Sequence, residues 1–229
     1  MSNRTKQSRA RLDRDRIVEA AVALVDRDGI EGLSMRKLGH ELTVEAMALY
    51  HYFPSKDALL DAIVEAVVAE MGDPPEVGDW EERLRERFRS YRRLAQAHPH
   101  VFPLVGKRTV KSPEALAPVE QMLDILRGAG FAPEQALQSF RTLSSYAYGY
   151  ALAEIVGFAL EPSTDDTAAG FDVRTVDPKR FPRMREIAPH VIACDHDAEF
   201  EWGLNVILRG LLADSEDAIR ERRCAKPRS

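Results

Sequence analysis

The sequence predicts an all-α chain: a small N-terminal three-helix unit of helix-turn-helix type, joined by a fourth helix to a larger helical domain. Three observations predict it. Apolar residues recur at spacings of three and four from Ile17 almost to the C-terminus. No stretch of useful length alternates apolar and polar residues as a strand would. Clusters of Gly, Pro, Asp and Ser fall between the periodic segments, where helices start and stop. The chain has 229 residues, 45% of them hydrophobic and 30% charged, which suits one large globular domain or a small one plus a larger one.

The elements follow in order. Asp13 can N-cap a first helix with Ile17, Ala20, Ala21, Leu24 and Val25 on its apolar face, and Gly29 can end it in a left-handed cap. Ser34 caps the short helix "MRKLGHEL"; Thr43 breaks it, and "EAMALYHY" forms a second short helix. Phe53-Pro54 stops that helix, and Ser55 opens the next, with Leu59, Leu60, Ile63 and Val67 on one face. "MGDPPEVGD" at 71–79 is a boundary. An Arg/Glu-rich helix follows over 80–98, with Leu84, Phe88, Tyr91 and Leu94 as its stripe, then the broken connection "HPHVFPLVG". Ser112-Pro113-Glu114 opens a helix running to Arg127, closed by Gly128 and Gly130. Pro133-Glu134 starts a long helix reaching Phe158. Residues 161–182 are polar and Pro/Gly-rich and read as a mobile loop. Helices near 183–193 and 197–213 precede a charged tail. The organisation expected is a basic flexible arm at 1–12, a helix-turn-helix unit at 13–58, a larger helical domain at 59–214, and the tail at 215–229.

The net charge is −5, but unevenly placed: six basic residues against two acidic ones leave residues 1–16 at +4, so the remaining 213 sum to −9. Nucleic acid is therefore not attracted by the chain as a whole, and binding must come from a local patch. Two cysteines, Cys194 and Cys224, are too few for a disulfide framework and point to a reducing cytoplasm. The N-terminus is basic and polar, unlike a signal peptide. The longest apolar run, "AYGYALAEIVGFAL", contains Glu154 and is too short to span a bilayer.

Two short helices joined by a tight turn and packed on a longer one place the second short helix in the DNA major groove. Leu38, Val44, Leu49 and Phe53 supply the anchors of such a unit, Leu49 and Phe53 lying one helical turn apart. Ala46, Met47, Tyr50 and His51 are left facing outward. Ala46 and Met47 are suited to close approach and to a thymine methyl. Arg36 can reach a guanine edge bidentately. Tyr50, His51, Tyr52 and Lys56 are the candidate backbone contacts, Lys56 adding its charge to the free N–H groups of a helix start. Ser34 and Thr43, at the ends of the first short helix, complete the candidate set, and the basic arm from Arg4 to Arg14 can add phosphate or minor-groove contacts.

The segment "RIVEAAVALVDRDGIEGLSMRKLGHELTVEAMALYHYFPSKDALLDAIVEAV" resembles the DNA-binding domain of the TetR family of bacterial transcriptional repressors, without a gap over 12–70. "FRSYRRLAQAHPHVFPLVGKR", "QMLDILRGAGFAPEQAL" and "FEWGLNVILRGL" are similar, more weakly, to the C-terminal domain of the tetracycline repressor subgroup. The resemblance implies an operator-binding homodimer released by a small-molecule effector, with a four-helix bundle formed from the helices at 133–158 and 197–213. Phe200, Leu204, Ile207, Leu208 and Leu211 are the expected interface, since a helix apolar on more than one face must bury more than one. The implied pocket holds Arg87, Tyr91, Leu104, Met122, Phe140 and Ser144. This chain departs from the family at several positions. Thr43 stands where the family usually has Gly, so either a different turn, with Thr43 capping the recognition helix, or strain is expected. Tyr52 stands where His is frequent. Leu104 replaces the magnesium-binding His of the tetracycline repressor and Ala153 its pocket glutamate, which argues against tetracycline–magnesium and for a more apolar or anionic effector.

Two other classes compete. An enzyme with a His-based metal site is suggested by His98-x-His100 and Cys194-x-His196, with His190 nearby, but the spacing fits no common zinc pattern. Asp195 and Asp197 read as caps, and His98 and His100 as helix-end residues meeting free carbonyls. No metal, cofactor or catalytic residue is expected. The other alternative is a helix-turn-helix regulator whose large domain binds a protein or peptide.

Overall fold

A computed structural model describes residues 12–108, 114–158 and 173–224, the stretch 214–224 as backbone alone. Among the described residues all regular structure is helical. The α-helices are α1 (Arg14–Gly32), α2 (Met35–Leu42), α3 (Ala46–Tyr50), α4 (Lys56–Ala69), α5 (Trp80–Ala97), α6 (Phe102–Val105), α7 (Ala117–Gly128), α8 (Pro133–Val156), α9 (Pro182–Ile192) and α10 (His196–Cys224). The chain divides into two compact units, Met1–Gly72 with Ala97–Lys111, and Asp73–Gln96 with Ser112–Ser229.

The first unit is built by side-chain caps and an aliphatic core. Asp13 accepts from the Arg16 amide at 2.9 Å, Ser34 from Lys37 at 3.2 Å and Ser55 from Ala58 at 3.1 Å, so three of its helices start where a short polar side chain satisfies a free N–H. Gly29 interrupts α1 with φ 72° and ψ 171°, a positive-φ kink rather than the left-handed cap expected. Ile17, Leu24, Leu33, Leu38, Leu49, Phe53, Leu59 and Ile63 are fully buried, each contributing about 1.5–3 kcal/mol relative to exposure. The "HPHVFPLVG" connection belongs here too: Val101 and Phe102 are fully buried and α6 packs on α4. Arg108 donates to the Asp57 carbonyl and carboxylate and to Asp61.

His98 does not meet helix carbonyls as expected. Its Nδ1 lies 2.8 Å from Asp26 on α1 and its Nε2 2.9 Å from Glu70 at the end of α4. Facing two carboxylates, both nitrogens donate only when the ring is protonated. Burial opposes that charge, and the hydrogen bonds to Glu70 and Asp26 outweigh it, so the pKa is raised.

In the second unit, Leu84 and Phe88 of α5, Met122, Ile125 and Leu126 of α7, Leu143 and Ala147 of α8, and Phe200, Leu204 and Leu208 of α10 share one core. One stripe of α5 clamps α10: Arg85 donates to Asn205 at 2.8 Å, Arg89 grips Glu201 at 2.6 and 2.9 Å, and Arg92 reaches Asp197 at 2.6 Å. Arg92 also holds Glu154 of α8 bidentately, at 2.7 and 2.6 Å. Gly203 lets α8 and α10 approach, since a Cβ there would fall 2.2 Å from the Tyr146 hydroxyl, which donates to the Phe200 carbonyl at 2.9 Å.

Two helix limits differ from the sequence reading. The helix expected from Ser112-Pro113-Glu114 begins later: Glu114–Leu116 is a 3-10 turn and α7 starts at Ala117. Pro118 explains this, because proline is tolerated only in a helix's first turn; Ser112 and Pro113 lie outside the described residues. The last helix runs on to Cys224, past its expected end near 213, since charged residues suit a solvated helix as well as a coil. Most of the expected loop at 161–182 lies outside the described residues, as does the arm up to Arg11.

Candidate nucleic-acid interface and effector domain

α2 and α3 are separated by Thr43, Val44 and Glu45, and the turn is tight because Gly39 permits it. A Cβ on Gly39 would stand 2.8 Å from the Val44 carbonyl and 3.3 Å from the Ala46 amide. The Val44 amide donates to the Gly39 carbonyl at 2.8 Å. Thr43 ends α2 in the left-handed conformation, φ 57° and ψ 42°, its amide bonding back to Gly39 and His40. Of the two outcomes expected for this residue, strain is the one found. Thr43 does not cap α3, whose N-cap is Glu45 with no side-chain hydrogen bond.

The turn leaves Leu49 and Phe53 fully buried and turns the other side of α3 outward. Met47 is 69% and Tyr50 44% exposed; Ala46 is half-buried at the edge of the same face. Arg36, His51 and Lys56 are exposed and make no side-chain hydrogen bond or ion pair with other described residues. Their neighbour Lys37, by contrast, pairs with Asp28 at 2.7 Å. Hydrogen bonds from Arg27 and Lys37 hold the Asp28 carboxyl down at about 2. Ser34 caps α2 with its hydroxyl and is itself exposed.

Tyr52 requires a correction. Its hydroxyl donates to the Leu12 carbonyl at 2.7 Å, so its proton ties down the entry to α1 rather than a phosphate. Arg14 likewise acts inside the unit, donating to the Tyr52 carbonyl at 3.1 Å with its guanidinium 4.3 Å from the centre of the Phe53 ring.

In the second unit the expected pocket residues are brought together in part. Met122 is in the core, and Tyr91 and Phe140 pack against it. Ser144 is half-buried on α8. Arg87 is 4% exposed and reaches Gln121 on α7 at 3.3 Å; burial lowers its pKa. Burial also raises the pKa of Tyr91, keeping the phenol neutral. Leu104 is a half-buried residue of α6 and belongs to the first unit, whereas the other expected pocket residues belong to the second.

The expected dimer face is also corrected. Phe200, Leu204 and Leu208 are buried in the protomer's own core, with Ile207 and Leu211 packed beside them, so these residues hold α10 to its own unit. Among the described side chains of α10, the large apolar ones left outside are Trp202, 71% exposed, and Val206, 52%. On α8 Val156 is exposed. Their period of four along α10 was visible in the sequence, but which of two apolar faces turned inward was not.

Two short helices joined by a tight turn and packed on a longer one, with Met47 and Tyr50 exposed on the second and the cations Arg36 and Lys56 exposed on the helices to either side of it, define a helix-turn-helix DNA-binding regulator. The matches with known families agree. Residues 17–63 match the family described as "Bacterial regulatory proteins, tetR family", and residues 72–214 match "Tetracyclin repressor-like, C-terminal domain". The HTH-type transcriptional repressor DrrR1 of Streptomyces coeruleorubidus is 31% identical over 86% of this chain and 76% of its own. The class A tetracycline repressor from transposon 1721 in Escherichia coli is 31% identical over 88% of this chain and 91% of its own. The crystal structure of the Streptomyces coelicolor TetR family protein ActR in complex with actinorhodin superposes with a TM-score of 0.75 at 30% identity, covering 90% of this chain and 99% of that one. The chain belongs to the TetR family. It is a transcriptional regulator. Among the described residues no helix is long and apolar enough to cross a membrane.

Proposed function

We propose that this protein is a cytoplasmic repressor that binds a palindromic operator as a homodimer and is released by a small molecule held in the second unit. The observation that carries the reading is the exposed set Arg36, Met47, Tyr50, His51 and Lys56 around a rigidly turned α3. Arg36 reads a base; Ala46 and Met47 approach bases closely; Tyr50, His51 and Lys56, with the rim residues Ser34 and Thr43, hold the backbone. Two-fold symmetry then reads two half-sites.

The effector proposed is a largely apolar molecule carrying an acidic group. Met122, Tyr91 and Phe140 offer apolar and aromatic walls, and Arg87 offers a buried cation. Actinorhodin, bound by ActR, is the natural first compound to try. Tetracycline with magnesium is the contrast, because Ala153, where the resemblance expects the pocket glutamate, lacks a metal-binding atom. The effector acts only through its different affinity for the DNA-competent and DNA-incompetent conformers.

The test is selection of bound DNA from a random pool, followed by release of the selected fragment by candidate compounds. A palindromic consensus released by actinorhodin or a similar acidic ligand is expected. A consensus lacking two-fold symmetry would overturn the dimeric reading, and release by tetracycline–magnesium alone would overturn the effector assignment.

A further inference from the structure

We propose that Cys194, His196 and Glu199 form a binding site for a thiophilic divalent cation, zinc in the first instance, at the junction of α9 and α10. This site is independent of the effector reading. The structure brings the three donor atoms within 4.8 Å of one another. The Cys194 Sγ and His196 Nδ1 are 3.5 Å apart, and His196 Nδ1 lies 4.0 Å from Glu199 Oε2. Ligands about 2.3 Å (sulfur) and 2.0–2.1 Å (imidazole) from a tetrahedral zinc are themselves about 3.5 Å apart. The S–N pair therefore already stands at the separation a zinc ion imposes. Glu199, 57% exposed, needs only a small rotation to close the third edge.

The sequence spacing, Cys-x-His-x-x-Glu, matches no common zinc pattern, which is why it carried no weight by itself. The helix start supplies what the pattern lacked. Asp195 caps α10, accepting from the amides of Asp197 at 3.0 Å and Ala198 at 3.1 Å. This fixes Cys194 just outside the helix and His196 and Glu199 one turn apart on one face. The surroundings orient the donors. The Phe158 ring stacks on the His196 imidazole, centroids 4.8 Å apart and planes inclined by 21°. The Tyr150 hydroxyl of α8 lies 3.0 Å from the His196 carbonyl and 3.4 Å from Glu199 Oε2. Such outer groups set ligand geometry in metal sites.

The chemistry selects the ion. A thiol and an imidazole favour zinc and related borderline cations over magnesium or calcium. Binding replaces the S–H bond by a sulfur–metal bond and releases one proton, and the helix N-terminus favours the thiolate that forms. Thiolate and carboxylate then neutralise the dication, with a fourth position left for water or an added ligand.

Cobalt(II) titration of the metal-stripped full-length protein tests this. A stoichiometric thiolate-to-cobalt charge-transfer band with tetrahedral visible absorption is expected, displaced by zinc. The band disappears in Cys194→Ser and His196→Ala and persists in Cys224→Ser, each variant retaining wild-type helical circular dichroism. Glu199→Gln, at an exposed position, weakens cobalt binding at least about tenfold. Absence of the band in the wild type, or its loss in Cys224→Ser but not in Cys194→Ser, overturns the proposal. If Cys194→Ser were to unfold, an undiminished affinity in Glu199→Gln would overturn it as a three-ligand site.

Discussion

Thr43 is the one non-glycine residue with positive φ among those described, and it sits in the turn that aims the recognition helix. A β-branched residue in the left-handed region costs roughly 1–2 kcal/mol, and the unfolded chain of a glycine variant gains back part of that as entropy. Thr43→Gly is therefore expected to stabilise the protein by about 0.5–1 kcal/mol, raising the melting temperature by about 1–3 °C. A lower melting temperature would show that the threonine side chain holds the turn. The position was legible in the sequence, because a threonine where glycine is usual is costly if φ turns positive, but the choice between strain and a different turn depended on the backbone itself. The role of Tyr52 was not legible, since nothing local says that its hydroxyl closes on Leu12, 40 residues earlier. Arg36 and Lys56 separate by the kind of contact proposed for each. Arg36→Ala should cost about 1–3 kcal/mol and relax preference at one position per half-site. Lys56→Ala should weaken binding to all sequences and lower the salt slope by about one unit. Competition binding at several salt concentrations distinguishes the two; a uniform loss for Arg36→Ala would remove it from the base contacts.

Helix packing in each unit turns on contacts that periodicity cannot reveal. His98 joins α1 and α4 through Asp26 and Glu70, which lie 72 and 28 residues away along the chain. Its pKa is raised in the folded state, so its contribution is fully present below the unfolded value near 6.5 and is lost as pH rises through the higher folded value. Urea unfolding followed across that window should show stability falling with pH in the wild type and a flatter profile in His98→Gln. Parallel profiles would show that the imidazolium does not hold the two helices. Above the window Asp26 and Glu70 flank a neutral ring that can donate to only one of them, and the second Asp26 oxygen is buried without a hydrogen-bond partner among the described residues. In the second unit the corresponding constraint is a glycine. Gly203→Ala would drive a methyl group into the Tyr146 ring, and the Tyr146–Phe200 hydrogen bond must break or α10 must shift. A loss of about 1–3 kcal/mol is expected from this overpacking. A neutral effect in chemical denaturation would mean that Tyr146 moves aside freely.

At the scale of the whole molecule, the sequence announced that the last helix is apolar on two sides, and the structure shows which side is already used. Phe200, Leu204 and Leu208 bind α10 to its own core, and among its described side chains the large apolar ones left outside are Trp202 and Val206, four residues apart on one face. An exposed tryptophan flanked by a β-branched residue is costly to leave in water and is the kind of anchor that dominates an interface. If the homodimer forms across this face, Trp202→Glu removes the anchor and buries a carboxylate in its place. Dimerisation should weaken by about 2–4 kcal/mol, roughly 30-fold to 1,000-fold, with the helical content of the protomer unchanged because Trp202 takes no part in its core. The same substitution should lower affinity for the full palindrome while leaving binding to an isolated half-site as it was, since α3 and its exposed residues are untouched. Sedimentation equilibrium alongside titration of whole and half operators separates these effects. A Trp202→Glu protein that stays dimeric at wild-type affinity would move the two-fold axis to another surface, and one that loses half-site binding would mean that the substitution acts on the fold rather than on association.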